Sequence, residues 1–311
     1  MPTSPEEFEG ERQSLGHSHL RAAAIHGSTS RSCQLSWHAP RYASSSDTRS
    51  EGALAADQPK LEPIGDQAIT ARLAGAGSMR ADIEHVMATV PAGASSDDYR
   101  RAILDDNAAR KGTGTSRMWA WKRLKLRYAL DQPETVEFAA FRRAMHDSDP
   151  AGRGLSAMLM FARQDRLFRE VTLDILVPRL GRTGEVIHPA LVREDVEARR
   201  RAAGLEWSEE SLAAVAIHVA SSWKDFGLVE GSKERRISLL RPSHPTVRFA
   251  VELGRAEGRT DRQVLDSPWF RLLGIDATAA ESALRAAARD GVLQFRAQAD
   301  VIEITLPPDG N

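Results

Sequence analysis

Apolar residues recur along this chain at three- to four-residue intervals, the spacing that gathers them on one face of an α-helix. The first clear case is MRADIEHVMATV over 79–90, where Ile83, Val86, Met87 and Val90 share a face. Pro91 and Gly93 stop it. Ser95 or Ser96 then caps a second helix, with Asp97 and Asp98 favourably placed in its first turn. Its apolar face is Tyr99, Ala102, Ile103 and Ala109, and Gly112 is its expected stop. Thr115 or Ser116 is the expected cap of a third helix over 116–130. Ala120, Trp121, Leu124 and Tyr128 fall on one side of it, and Trp119 and Leu126 fall roughly opposite. Three short helices joined by tight connections follow the order of a helix-turn-helix.

The stretch 132–204 continues the helical spacing. Pro133 opens one helix, and GLSAMLMFARQD and RLFREVTLDILVPRL follow, the latter ended or kinked by Pro178. Met158, Leu159, Phe161, Leu167, Val171, Leu173, Ile175 and Leu176 are the expected core. Gly181 and Gly184 bracket a turn before a helix that runs to Gly204. Further on, the pattern changes period twice. A Ser208-capped helix ends at Gly227 and leads into two short extended runs around EGSK. An Asp276-capped helix ends at Gly291 and leads into VLQFRA and VIEITL around QAD, with Ile302, Ile304 and Leu306 alternating against Glu303 and Thr305. A helix followed directly by a hairpin is the back half of a winged helix, and here the unit occurs twice. The expected fold is mainly α: an N-terminal helix-turn-helix (65–131), a helical middle (132–204) and a C-terminal winged-helix-like region with short β-hairpins (205–311).

Residues 1–64 show no sustained period and are rich in Ser, Gly, Pro and Ala. Such a segment buries too little apolar surface to offset its ordering entropy. It reads as a disordered tail or as an over-extended gene start. Its His17, His19, His26, Cys33 and His38 match no zinc-ligand spacing. A lone cysteine excludes an intramolecular disulfide framework. The N-terminus lacks the pattern of a secretory signal. The apolar run LSAMLMFA over 155–162 is far short of the ~20 residues that cross a bilayer. The expectation is a cytoplasmic protein that does not engage membrane.

Charge alters the picture in one place. The formal net charge of the 311-residue chain is −1, yet ARKGTGTSRMWAWKRLKLRY over 109–128 carries only cations. Arg110, Lys111, Arg117, Lys122, Arg123, Lys125 and Arg127, with the hydroxyls of Thr113, Thr115 and Ser116 near the helix start, are the mixture that contacts a phosphate backbone. Lys233, Arg235 and Arg236 form a second candidate contact on the first hairpin, diluted by Glu230 and Glu234. The competing reading is a solvated helix neutralised by Asp97, Asp98, Asp105 and Asp106, through surface pairs worth only about 0–1 kcal/mol each.

Enzyme chemistry is not indicated. KGTGTS departs from a phosphate-binding P-loop, because Lys111 stands on the wrong side of the glycines. No Gly-x-Ser-x-Gly nucleophile turn occurs, and no His-x-x-x-His pair suits a helical metal site. The Asp97–Asp98 and Asp105–Asp106 pairs lack the strand-borne lysine of a metal-dependent nuclease, and His188, His218 and His244 are isolated. No catalytic residue, metal or cofactor is expected.

ITARLAGAGSM, NAARKGTGTSRMWAWKRLKLRY, ARQDRLFREVTLDILVPRL, WSEESLAAVAIHVASSWKDFGLVEGSKERRI and DSPWFRLLGIDATAAESALRAAARDGVLQF, in that order, resemble the BrxA family of BREX bacteriophage-defence systems. The resemblance spans roughly 68–307. It implies a mostly helical, non-catalytic protein with winged-helix-type elements that binds double-stranded DNA beside a methyltransferase and ATPases. The family's likeness to an RNA-binding antitermination factor keeps RNA in play. The helix over 116–128 matches the family's Arg/Lys-rich helix. Two other readings stand beside this one: a protein–protein assembly module anchored by Trp119, Trp121 and Trp269, and a transcription regulator.

Overall fold

The computed structural model describes residues 67–298 and 301–307. The expected tail over 1–64, with its histidines and Cys33, lies outside the described residues. The described residues are mainly helical, with short antiparallel strand pairs. A 3-10 turn over Arg72–Gly75 precedes α1 (Arg80–Thr89), α2 (Ser96–Leu104) and α3 (Gly114–Tyr128). Then come α4 (Val136–Asp147), α5 (Pro150–Gln164) and α6 (Arg166–Val171). The helix continues past α6 as a π-helical turn over Thr172–Leu176 and a 3-10 turn over Val177–Arg179, so Pro178 ends it as expected.

After that turn the order is β1 (Val186–Ile187), α7 (Pro189–Ala202), α8 (Glu209–Asp225), β2 (Val229–Glu230) and β3 (Arg235–Ile237). β3 lies between β1 and β2, antiparallel to both. β1 has no counterpart in the sequence reading, because a two-residue strand carries no period to detect. The chain continues through α9 (His244–Ala256), α10 (Asp261–Leu265), α11 (Pro268–Leu272) and α12 (Ala277–Arg289). It closes with β4 (Gln294–Gln298) paired antiparallel to β5 (Val301–Thr305).

Side-chain caps account for many of the helix starts. Ser95, Thr135, Asp149, Ser208 and Asp276 each accept a hydrogen bond from a first-turn backbone N–H. Gly227 and Gly291 end α8 and α12 in the left-handed conformation that glycine adopts without strain. Two local expectations fail. α2 ends at Leu104, well before Gly112. The chain then turns through Asn107 and Arg110, both with positive φ, and the Asn107 side chain accepts a hydrogen bond from the Lys111 N–H at 2.7 Å. The cap of α3 is Thr113, not Thr115 or Ser116.

The core runs without a break through all three expected segments. α5 is at its centre, buried from Leu155 to Arg163 on every side. Close approach is part of its design. A Cβ on Gly152 would collide with the Ser243 Oγ at the start of α9. Aromatic rings link the elements around it. Tyr99 meets Phe138 edge-on, Phe138 meets Phe141, and Phe141 touches both Tyr128 and Phe249. Tyr128 also meets Phe161, which lies edge-on to Phe168 at 4.8 Å and tilted to Phe226 at 5.5 Å. These contacts cross the expected boundaries at 131/132 and 204/205. The described residues belong to one compact unit.

Candidate nucleic-acid interface

α3 has two unlike sides. Ala120, Trp121, Leu124 and Tyr128 are buried, as the periodicity requires. The Tyr128 hydroxyl donates to the Ser78 carbonyl at 2.7 Å, and burial pushes its pKa well above the usual tyrosine value. Thr115, the adjacent Met118 and Trp119, Lys122 and Leu126 share the opposite side at helical spacing, and all are exposed. Trp119 retains 50% of its accessible surface, Leu126 42% and Met118 39%. Among the described residues, nothing covers this stripe.

The cations of 109–128 do not act alike. Arg127 is buried and belongs to the core, not to the candidate surface. Its Nη2 donates to the Ala76 carbonyl at 2.7 Å and reaches the Arg72 carbonyl at 3.5 Å. Its guanidinium lies 5.9 Å from the centre of the Phe161 ring. Burial pushes its pKa below the usual arginine value, but a guanidinium stays charged in proteins. Periodicity put Arg127 on the solvated side because it ignores a long side chain that turns back under the 3-10 turn.

Arg117 and Lys111 are also committed to the fold. The Arg117 Nη1 donates to the Leu104 carbonyl at 2.7 Å and the Asp105 carbonyl at 3.2 Å, closing the C-terminus of α2. Lys111 pairs with Asp82 of α1 at 2.7 Å. Thr113 and Ser116 satisfy one another. The Thr113 Oγ1 accepts the Ser116 N–H, and the Ser116 Oγ accepts the Thr113 N–H, both at 3.1 Å. Replacing Thr113 by alanine should therefore lower stability by about 1 kcal/mol. Urea denaturation would read this as a lower midpoint at unchanged slope. An unshifted midpoint would show that α3 does not depend on this cap.

Arg110, Lys122, Arg123 and Lys125 remain. Among the described residues none of them forms an ion pair with an acid. Among the described residues none of the four acids named as possible neutralisers pairs with these cations, and Asp98 is engaged elsewhere. Asp98 accepts the Ser95 N–H and hydroxyl and pairs with Arg101, and the Ser95 hydrogen bonds hold its carboxyl below the usual value. Three of these cations, Lys122, Arg123 and Lys125, instead approach aromatic rings. The Lys122 Nζ is 5.4 Å and the Arg123 guanidinium 4.8 Å from the centre of the Trp119 ring. The Lys125 Nζ is 5.9 Å from the Trp121 ring. Arg123 also crosses the 3-10 turn at Gly75, where a Cβ would meet its Nη2 at 2.8 Å.

The hairpin candidates divide in the same way. Arg236 pairs with Glu234 and donates to the Gly184 carbonyl at 3.1 Å. Arg235 is half-buried beside β1, and burial lowers its pKa. Only Lys233 of the three stands exposed at the tip with no ion pair among the described residues. The proposed interface anchors divide too: Trp121 and Trp269 are buried, and the Trp269 Nε1 donates to Glu257 at 3.0 Å, leaving Trp119 alone exposed. The sequence reading missed Met118, although its three-residue step from Thr115 already placed it on the outer stripe.

A cavity of about 1000 Å³ lies between α1, α2 and α4, lined by Met87, Tyr99, Phe138, Arg142 and Met145 among others. No α3 side chain lines it. The Arg142 guanidinium there is taken by the Tyr99 hydroxyl and the Val90 carbonyl. Among the described residues no three His, Cys, Asp or Glu side chains gather as a metal site. No helix among them is long and apolar enough to cross a membrane.

No protein-family model and no curated protein matches the chain. A crystal structure described as that of an uncharacterized protein from Magnetospirillum magneticum is similar, with a TM-score of 0.50 and 13% identity. The match covers 68% of this chain and 100% of the other. At that identity the likeness concerns the fold alone.

Proposed function

We propose that this chain is a non-catalytic nucleic-acid-binding protein that meets the backbone of a DNA duplex with the outer side of α3. The observation that carries the reading is the set Arg110, Lys122, Arg123 and Lys125, exposed or half-exposed and without acid partners among the described residues. α3 holds no acid of its own to repel phosphate. The packing of α1, α2 and α3 fits a helix-turn-helix with α3 outermost. The order β1, α7, α8, β2, β3, with β3 central, fits a winged helix, and α12 with β4 and β5 fits a second such unit lacking its first strand. α8 opens on Glu209 and Glu210, which disfavour phosphate, so the contact is assigned to α3. The resemblance to the BrxA family supports reading this activity as part of a bacterial phage-defence system of the BREX type, beside other defence proteins in the cytoplasm.

Duplex binding across a salt series is the test. Each phosphate contact contributes roughly −0.9 to the slope of log K against log salt, so four contacts give about −3.6. Changing Lys122, Arg123 and Lys125 together to glutamate should lower duplex affinity at least about tenfold and flatten the slope. Among the described residues these side chains hold no ion pair, so the variant should keep its melting temperature. A salt-independent affinity in the parent chain, or undiminished binding by the triple variant, would refute the reading.

A further inference from the structure

The outer side of α3 carries more than charge. A half-exposed indole stands in the middle of it, with Met118 before it and Lys122, Arg123 and Leu126 after it. A surface built only to meet duplex phosphates has no use for an indole, because phosphates and sugars offer no π-face. The bases of a duplex offer none either, since each is stacked on both sides. Reaching one requires unstacking, which costs a few kcal/mol per step. A single strand, a loop or a frayed end presents base faces without that cost.

The ring is also held ready. The Lys122 ammonium and the Arg123 guanidinium lie 5.4 and 4.8 Å from its centre. Arg123 is itself braced across Gly75. Cations three and four residues along the same helix restrict the ring's rotamers and place positive charge where the phosphates flanking a stacked base would run. A cationic groove with an aromatic platform is the arrangement that takes unpaired strands with little sequence preference. An apolar protein partner would leave these cations desolvated and unpaired, whereas a polyanion satisfies them.

We infer that Trp119 is a stacking platform for an unpaired nucleobase, with Lys122 and Arg123 on the adjoining phosphates, so that the same face of α3 takes single-stranded nucleic acid. The inference rests on the cationic α3 surface proposed above and adds a ligand class to it. Trp119 contributes the base contact, and the cations contribute the backbone contact common to both ligands.

The experiment compares Trp119→Ala and Trp119→Phe in the full chain, using fluorescein-labelled oligo(dT), oligo(U) and a blunt hairpin duplex at one salt concentration. Trp119→Ala should weaken binding to an unpaired strand at least about fivefold, the loss of one stacked base, and leave the duplex within about twofold. Trp119→Phe should restore most of the loss, because phenyl also stacks. A 2-aminopurine in the strand should be quenched by the parent chain and not by Trp119→Ala. A loss on either oligo(dT) or oligo(U) supports stacking and tells which strand is taken. Failure of the parent chain to bind either strand, an equal loss on strand and duplex, or no loss on either overturns the inference. The Lys122, Arg123 and Lys125 triple variant separates the two ideas. If it loses duplex binding while Trp119→Ala changes nothing, stacking falls and the backbone reading stands. If it too changes nothing, both fall.

Discussion

Phe161→Ala should lower the stability of the chain by about 3–5 kcal/mol, the range for emptying a buried phenyl site. Phe161 is fully buried in the middle of α5 and touches the rings of Tyr128, Phe168 and Phe226, which come from α3, α6 and the end of α8. It also lies under the Arg127 guanidinium. Three other parts of the chain, α3, α6 and the end of α8, would have to move to fill the space, and a close-packed interior resists such collapse. Against a total stability of roughly 5–15 kcal/mol, such a loss brings the chain close to unfolding at physiological temperature. Urea denaturation followed by far-UV circular dichroism measures it. A loss below about 1 kcal/mol would mean that the site relaxes around alanine and that the ring cluster is not central.

Arg127→Ala comes second, with an expected loss of about 2–4 kcal/mol. It leaves the Ala76 carbonyl without its donor and removes the guanidinium from the Phe161 ring. An unsatisfied buried polar group costs about 1–3 kcal/mol, and the lost packing adds to that. The melting temperature should fall by roughly 5–15 °C. Arg127→Lys should recover only part, since a compact ammonium can replace the donor to the Ala76 carbonyl but not the planar guanidinium over the Phe161 ring. A wild-type melting temperature for Arg127→Ala would show that the buried guanidinium is dispensable. The sign matters for any mutational test of binding. A charge reversal at Arg127 would abolish binding by unfolding the protein, and including it among the phosphate contacts would mislead.

Most local signals were legible, although the equally local cap of α3 was placed at Thr115 or Ser116 and stands at Thr113. The caps at Ser95, Ser208 and Asp276 and the glycine stops at Gly227 and Gly291 depend on a few neighbouring residues, and each stands where the spacing placed it. The alternation of Ile302, Ile304 and Leu306 against Glu303 and Thr305 marked β5 for the same reason. The end of α2 was not legible, because it is set by Asn107 and by Arg117, a side chain from the next helix that closes the carbonyls. β1 was not legible, because a two-residue strand exists only through its pairing with β3.

The candidate surface divides along the same line. That α3 is basic, free of acids and buried along Ala120, Trp121, Leu124 and Tyr128 follows from residue types at a fixed angular step, so the sequence alone determined it. Which of its cations are free did not follow. Long Arg and Lys side chains span several ångströms, and their partners lie far away in sequence: Lys111 on Asp82 and Arg127 on Ala76. Tertiary structure alone decided that Arg110, Lys122, Arg123 and Lys125 hold no ion pair among the described residues while Arg127 turns inward. It also decided that Trp119 stays half-exposed, because burial depends on which distant elements pack against a helix, and no described element reaches that side of α3.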